Sequence, residues 1–340
     1  MYGLRRTREN PMSLPDPDGY IRLLRPKQWT KNLVCLAGAF FSGHITDAHY
    51  LYRALVAVAA FCAASGFVYI INDILDRERD RNHPKKRMRP IASGKMTVRE
   101  GVIFSCVMLG VTVGLGALLG GQILALLAVY GVLNICYSAA LKNLSLVDAT
   151  VVAAGFILRV YVGTVAVSVP PSAWLLLCTL FLSLFLAFSK RRAELNEATG
   201  QVVESRAVIE KYAVSEGMIR ASRSVVQEYD TKSVDVNATR GVLHKYSVQM
   251  LDRFCNICAT LTIATYALFT VLGHADHAFI ITTPPVVMGV FRYIMLIERY
   301  QEGESPDAVL LKDWAIQLAI ATWAILYVAV LYGHLSIDVQ

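Results

Sequence analysis

Asn72–Pro90 reads NDILDRERDRNHPKKRMRP and lies between two apolar runs, 53–74 and 98–118, each long enough to cross a bilayer. Its acids Asp73, Asp76 and Asp80 are related by i, i+3 and i+7, so a helix continuing out of the first run aligns their carboxylates on one face. Like charges so placed repel by about 0.2–0.5 kcal/mol per pair on a solvated helix, and more near lipid. A divalent cation turns that repulsion into attraction, and oxygen donors of this kind suit Mg2+ arriving with a diphosphate. Pro84 ends the helix, and Lys85, Lys86, Arg87 and Arg89 then offer cations to phosphate oxygens. Taken alone, the basic run also reads as a positive-inside anchor, but an anchor gains nothing from acids sharing a face.

Hydrophobic residues form 55% of the 340-residue chain and charged residues 17%, which excludes an ordinary soluble domain. Apolar spans fall near 23–43, 53–74, 98–118, 121–141, 145–167, 173–190, 250–273, 277–297 and 313–333, so the expected fold class is an all-α membrane protein with about nine transmembrane helices. With the amino terminus inside, every Lys and Arg except Arg53 and Arg159 falls on the cytoplasmic side, and the net charge of +7 reflects that bias. The domain reading is a disordered polar lead over 1–19, one polytopic domain over 20–335, and a cytoplasmic insertion over 195–249. Part of the insertion mixes charges with Val, Ile and Ala at helical spacing, as an amphipathic cap or a solvated linker would. Basic and aromatic residues do not interleave on a soluble face, so no nucleic-acid partner is expected.

The seven cysteines lie mostly within apolar spans and are expected to pack as free thiols, Cys255 and Cys258 included. His274 and His277 lack a third zinc ligand. Gly110, Gly114, Gly116, Gly120 and Gly121 near-miss a dinucleotide fingerprint without a preceding strand, and are expected to serve close helix packing. Around the same inner rim stand Lys31, entering the first span, Lys142 before Asp148, and Lys190 at the end of the sixth span. Arg159 sits deep in a span, where a charge costs about 2.5–3.5 kcal/mol on insertion scales, so it requires an interior partner.

The order RPKQWTKN, NDILDRERDRNHPKKRMRPIASG, YSAALKN with a following aspartate, SKRRAEL and GESPDAVLLKD resembles the UbiA superfamily of intramembrane prenyltransferases from Tyr20 to about Gln317. It is most similar to the branch that builds decaprenylphosphoryl-phosphoribose from phosphoribosyl diphosphate and decaprenyl phosphate. The resemblance implies a helical ring around a central cavity open to the cytoplasmic side of the bacterial inner (plasma) membrane. It also implies that Asn72, Asp73, Asp76 and Asp80 hold Mg2+ and diphosphate, with the three aspartates as metal ligands and catalytic groups. Lys85, Lys86, Arg87 and Arg89 would bind the sugar-phosphate donor, and Lys31, Tyr137, Lys142, Lys190 and Glu194 further cavity positions. The partners implied are polyprenyl phosphate and phosphoribosyl diphosphate, with a homo-oligomer left open and cell-wall biosynthesis the expected setting. Two features depart from that branch and its relatives. The polar segment after Glu194 is longer, and the second aspartate-rich motif of aromatic prenyltransferases is missing.

Two other functions compete. An aromatic prenyltransferase would bind a polyprenyl diphosphate at the same acids and needs a fitted ring pocket. A lipid transporter or scaffold would place charges near the midplane of broken spans, whereas these gather at one rim.

Overall fold

The computed structural model describes residues 17–82, 86–199, 243–273, 277–300, 309 and 312–333. Within them the chain is helical, and no strand occurs among the described residues. Among the described residues eight helical stretches are long and apolar enough to cross a membrane: Ala48–Leu75, Val98–Leu119, Gly121–Ala139, Val147–Ala166, Ala173–Glu197, Val248–Leu272, His277–Glu298 and Trp314–Gly333.

The first expected span departs from this pattern. After α1 (Pro17–Leu24) the chain forms a 3₁₀ helix, Pro26–Leu36, and then the short α2 (Ala37–Phe41). At about 2.0 Å per 3₁₀ residue and 1.5 Å per α residue the stretch rises roughly 30 Å, close to the hydrocarbon thickness. Its geometry is fixed by a close backbone crossing. A Cβ on Gly163 would lie 2.0 Å from the Cys35 carbonyl oxygen, and one on Gly38 would lie 2.8 Å from the Thr164 Cα. Only glycine fits where the two backbones approach so closely.

The remaining helices follow their caps. Asp47 accepts from the His49 amide to start α3 (Ala48–Leu75), and a Thr97–Glu100 capping box opens α5 (Val98–Leu119). Between them α4 (Arg77–Arg81) continues α3 past a turn at Asp76. Then come α6 (Gly121–Ala139), α7 (Val147–Ala166) and α8 (Ala173–Thr199). Ser247 caps α9 (Val248–Leu272), followed by α10 (Thr283–Tyr300) and α11 (Trp314–Gly333).

Neighbours in sequence pack as neighbours in space: α3 on α5, α5 on α6, α6 on α7, α7 on α8, α8 on α9, and α10 on α11. Elements far apart in sequence also meet, because Phe40 and Phe41 of α2 pack their rings against Trp323 and Tyr327 of α11. The outward face of α5 exposes Val102, Ile103, Val107, Leu109, Val111, Val113 and Leu118, as a bilayer solvent requires. Of the five glycines expected to serve close helix packing only Gly116 meets another helix, at Leu124 and Leu127 of α6; a Cβ on Gly110, Gly114, Gly120 or Gly121 would touch nothing within 4 Å, so the packing role expected of those four is corrected.

Candidate functional site

The helix carrying the acidic motif does continue through it. The Asp76 amide donates to the Asn72 carbonyl at 2.9 Å and the Asp80 amide to the Asp76 carbonyl at 2.8 Å, across the turn that separates α3 from α4. Asp73 and Asp80, two turns apart, are each 2% exposed. Their carboxylates are bridged by one guanidinium: Arg89 Nη1 stands 3.0 Å from Asp73 Oδ1 and 2.6 Å from Asp80 Oδ2. Arg25 adds a second cation, with Nη2 2.5 Å from the same Asp73 oxygen and its guanidinium 4.8 Å above the Tyr69 ring.

Asp76 lies apart from this bridge. Lys142 Nζ is 3.4 Å and 3.5 Å from its two carboxylate oxygens, and the Asp76 side chain is the most accessible of the three at 33%. All three acids thus have cationic partners, Arg89 shared by Asp73 and Asp80, Arg25 on Asp73 and Lys142 on Asp76, each from a chain segment before the motif or beyond its break. Among the described residues no three His, Cys, Asp or Glu side chains converge as a metal cluster. The donor set itself, carboxylate oxygens beside guanidinium and ammonium groups, still suits a divalent cation that arrives with a phosphate chain.

A second polar cluster joins α7, α8 and the turn that leads into α9. Arg191, 3% exposed, donates from Nε to Asp148 Oδ2 at 2.6 Å and from Nη1 to Glu194. Tyr246 donates to the other Asp148 oxygen at 3.1 Å and accepts from the Leu146 amide. Burial pushes the Tyr246 hydroxyl above the usual tyrosine range, and the neighbouring Asp148 carboxylate adds to the rise. Tyr137 faces Arg191 electrostatically, so this cluster gathers Tyr137 and Glu194 from the expected set. Lys190 is half-buried beside it in sequence, and on the other flank Arg192 pairs with Asp252 and donates to the Ile297 carbonyl at 3.1 Å.

Deeper in the bundle Arg159 has the interior partners its position demands. It donates to Asn32 Oδ1 at 2.8 Å, the Gly155 carbonyl at 2.7 Å and the Tyr130 hydroxyl at 3.0 Å, with Phe61, Tyr130 and Phe156 rings around its guanidinium. Lys31, next to Asn32, donates to Gln28 Oε1 at 2.6 Å. Lys86 is half-buried and Arg87 exposed; Lys85 and nearly all of the insertion, 200–242, lie outside the described residues, as does the lead over 1–16. A crevice between α8, α9 and α10, lined by Arg192, Asp252 and Glu298, holds none of the expected site residues. All seven cysteines are free thiols.

Sequence reading missed Arg25 and Arg191. RPKQWTKN drew attention to its lysines, yet Arg25 is in the left-handed region (φ 50°, ψ 63°), an arrangement that costs of order 1–3 kcal/mol and turns the chain where the guanidinium meets Asp73. Arg191 read as one cation of an inner-side run, because nothing in a linear sequence couples it to Asp148, 43 residues earlier.

Bilayer-length apolar helices, with acids and cations interlocked at one helix end, define an integral membrane protein. Residues 32–194 match the UbiA prenyltransferase family. The chain is 30% identical to the decaprenyl-phosphate phosphoribosyltransferase of Corynebacterium glutamicum, over 96% of this chain and 90% of that protein. It is 32% identical to the enzyme of that name from Mycolicibacterium smegmatis, over 90% of each. In structure it resembles a UbiA homolog from Archaeoglobus fulgidus bound to GPP and Mg2+, with a TM-score of 0.63 at 19% identity, covering 92% of this chain and 99% of the other. The chain belongs to the UbiA prenyltransferase family, and it is a transferase.

Proposed function

We propose that the protein transfers the 5-phosphoribosyl group of phosphoribosyl diphosphate to a polyprenyl phosphate such as decaprenyl phosphate, releasing diphosphate, with Mg2+ as cofactor. The observation that carries this reading is the Arg89 guanidinium standing between the Asp73 and Asp80 carboxylates, with Arg25 on the same oxygen. One spot offers oxygen donors to a divalent cation and forked cations to phosphate. The substrate classes are supported by the names of relatives matched over 90% or more of this chain, and the metal by the Mg2+ in the archaeal homolog.

In this reading Asp73, Asp76 and Asp80 would hold the metal, with Asn72 beside them in sequence. Bound there, Mg2+ would offset the negative charge that develops on the departing diphosphate. Arg25, Lys85, Lys86, Arg87 and Arg89 take the donor's phosphate oxygens, while Lys31, Tyr137, Lys142, Lys190 and Glu194 line the cavity that receives the lipid phosphate. That phosphate is already an anion near neutral pH, so it needs no side-chain base. It attacks the anomeric carbon from the face opposite the diphosphate; the new C–O bond forms as the old one breaks, and its electron pair leaves with the diphosphate oxygen. The chain supplies position and charge.

The bias of Lys and Arg supports a cytoplasmic site and amino terminus in a bacterial inner membrane, where a water-soluble donor and a lipid acceptor can meet. The test is to incubate the purified protein with phosphoribosyl diphosphate, polyprenyl phosphate and Mg2+. A phosphoribosylated lipid that Asp76→Ala no longer makes supports the function, and no such lipid at any chain length rejects it.

A further inference from the structure

We infer that Arg89 is an internal counter-cation of the acidic motif, so that the motif takes up a divalent metal and a diphosphate together and resists the metal alone. The inference rests on the metal-diphosphate reading of this site and adds a coupling between its two ligands.

Asp73 and Asp80 are both 2% exposed, and two ionised carboxylates so removed from water repel strongly unless a cation stands between them. Arg89 Nη1 is that cation, within hydrogen-bond distance of both. A metal reaching these oxygens must therefore displace a charge-assisted bond to each carboxylate. It would also leave the Arg89 guanidinium, 27% exposed, without its two acceptors. The metal alone gains carboxylate contacts only by losing those bonds. A metal accompanied by diphosphate gives Arg89 new oxygens to hold, and Arg25, which shares the Asp73 oxygen, the same exchange.

Asp76 makes the first encounter. It is the most accessible acid, and its bond to Lys142 is the longest in the group at 3.4 Å. An incoming complex can meet Asp76 and Lys142 before the Arg89 bridge opens. Coupling of this kind is reciprocal: the metal tightens diphosphate binding by the same factor as diphosphate tightens the metal.

Equilibrium dialysis of the full-length protein in detergent micelles, with Mn2+ as the probe metal, reads this directly. Protein-retained Mn2+ is measured with and without inorganic diphosphate at fixed free Mn2+. The wild type is expected to hold Mn2+ about tenfold or more tightly with diphosphate, within the roughly 5–150-fold range of typical couplings. Arg89→Gln is expected to bind Mn2+ alone more tightly than the wild type, because two unbridged acids now favour it, and to lose most of the enhancement. Arg89→Lys keeps the charge without the fork and is expected to fall between the two; it also carries the test if Arg89→Gln does not fold. Mn2+ binding that diphosphate does not tighten in the wild type, or an enhancement unchanged in both variants, overturns the coupling and leaves the site standing. Retention of neither Mn2+ nor diphosphate by the wild type under any condition overturns the site together with the coupling.

Discussion

Arg191 on α8 donates from Nε to Oδ2 of Asp148 on α7 at 2.6 Å, and the two side chains are 4% and 0% exposed. Removing one partner of a buried pair costs about 3–5 kcal/mol because the other charge stays uncompensated. Glu194 still faces Arg191 in Asp148→Ala, which puts the expected loss near the lower end, about 3 kcal/mol. Tyr246→Phe strands only the Asp148 oxygen and the Leu146 amide, at about 1–3 kcal/mol. Thermal unfolding in micelles should rank Asp148→Ala below Tyr246→Phe, and both below the wild type; equal melting temperatures would contradict the network.

Arg159 forks to three acceptors that a lysine ammonium cannot reach together. Arg159→Lys is expected to lose about 1–3 kcal/mol, the cost of leaving buried acceptors without donors. An unchanged unfolding temperature would show that the forked geometry contributes nothing.

Arg53 donates to the last carbonyls of two other helices, Ala166 of α7 and Leu119 of α5. A cation at a helix C-terminus stabilises by about 0.3–1 kcal/mol, and up to about 2 where partly buried, so Arg53→Met is expected to cost about 1–2 kcal/mol. It lies twenty residues before Asp73 on α3, about 30 Å along the axis, so diphosphate binding should be unaltered. Weakened binding in a folded Arg53→Met protein would refute that separation.

Asp313 accepts from Arg292 Nη2 at 2.7 Å, which holds its carboxyl below the usual aspartate range, with the Ile316 amide helping at the start of α11. A depressed carboxylate contributes stability above its unfolded value, near about 3.9, and the contribution is lost as pH falls through the lower folded value. The wild type should therefore lose more unfolding temperature between pH 5 and pH 3, roughly the window set by that reference value, than Asp313→Asn does. Parallel losses in the two proteins would argue against the bridge.

What the chain disclosed in advance was its periodicity and its sharpest motif. Eight of the nine expected spans are helices of membrane length, since lipid imposes long apolar runs that composition reports directly. The span that differs, Pro26–Leu36, depends on a crossing at Gly163, more than a hundred residues away, and no local propensity announces it. The need of Arg159 for an interior partner was legible because a lone charge in an apolar run has few alternatives. The pairing of Arg89 with Asp73 and Asp80 was not, because spacing along a helix fixes which face a carboxylate occupies and says nothing of what a cation beyond the helix end will do. For the same reason Gly110 and Gly114 read as packing residues although they face no other helix.

A donor competition decides which diphosphate the enzyme uses. The protein in lipid nanodiscs receives labelled phosphoribosyl diphosphate and labelled prenyl diphosphate together, with decaprenyl phosphate, 4-hydroxybenzoate and Mg2+. Phosphoribosyl label is expected to move to the lipid phosphate, and Asp76→Ala to abolish the transfer. Prenyl label on the aromatic ring, with none of the phosphoribosyl label on lipid, would contradict it.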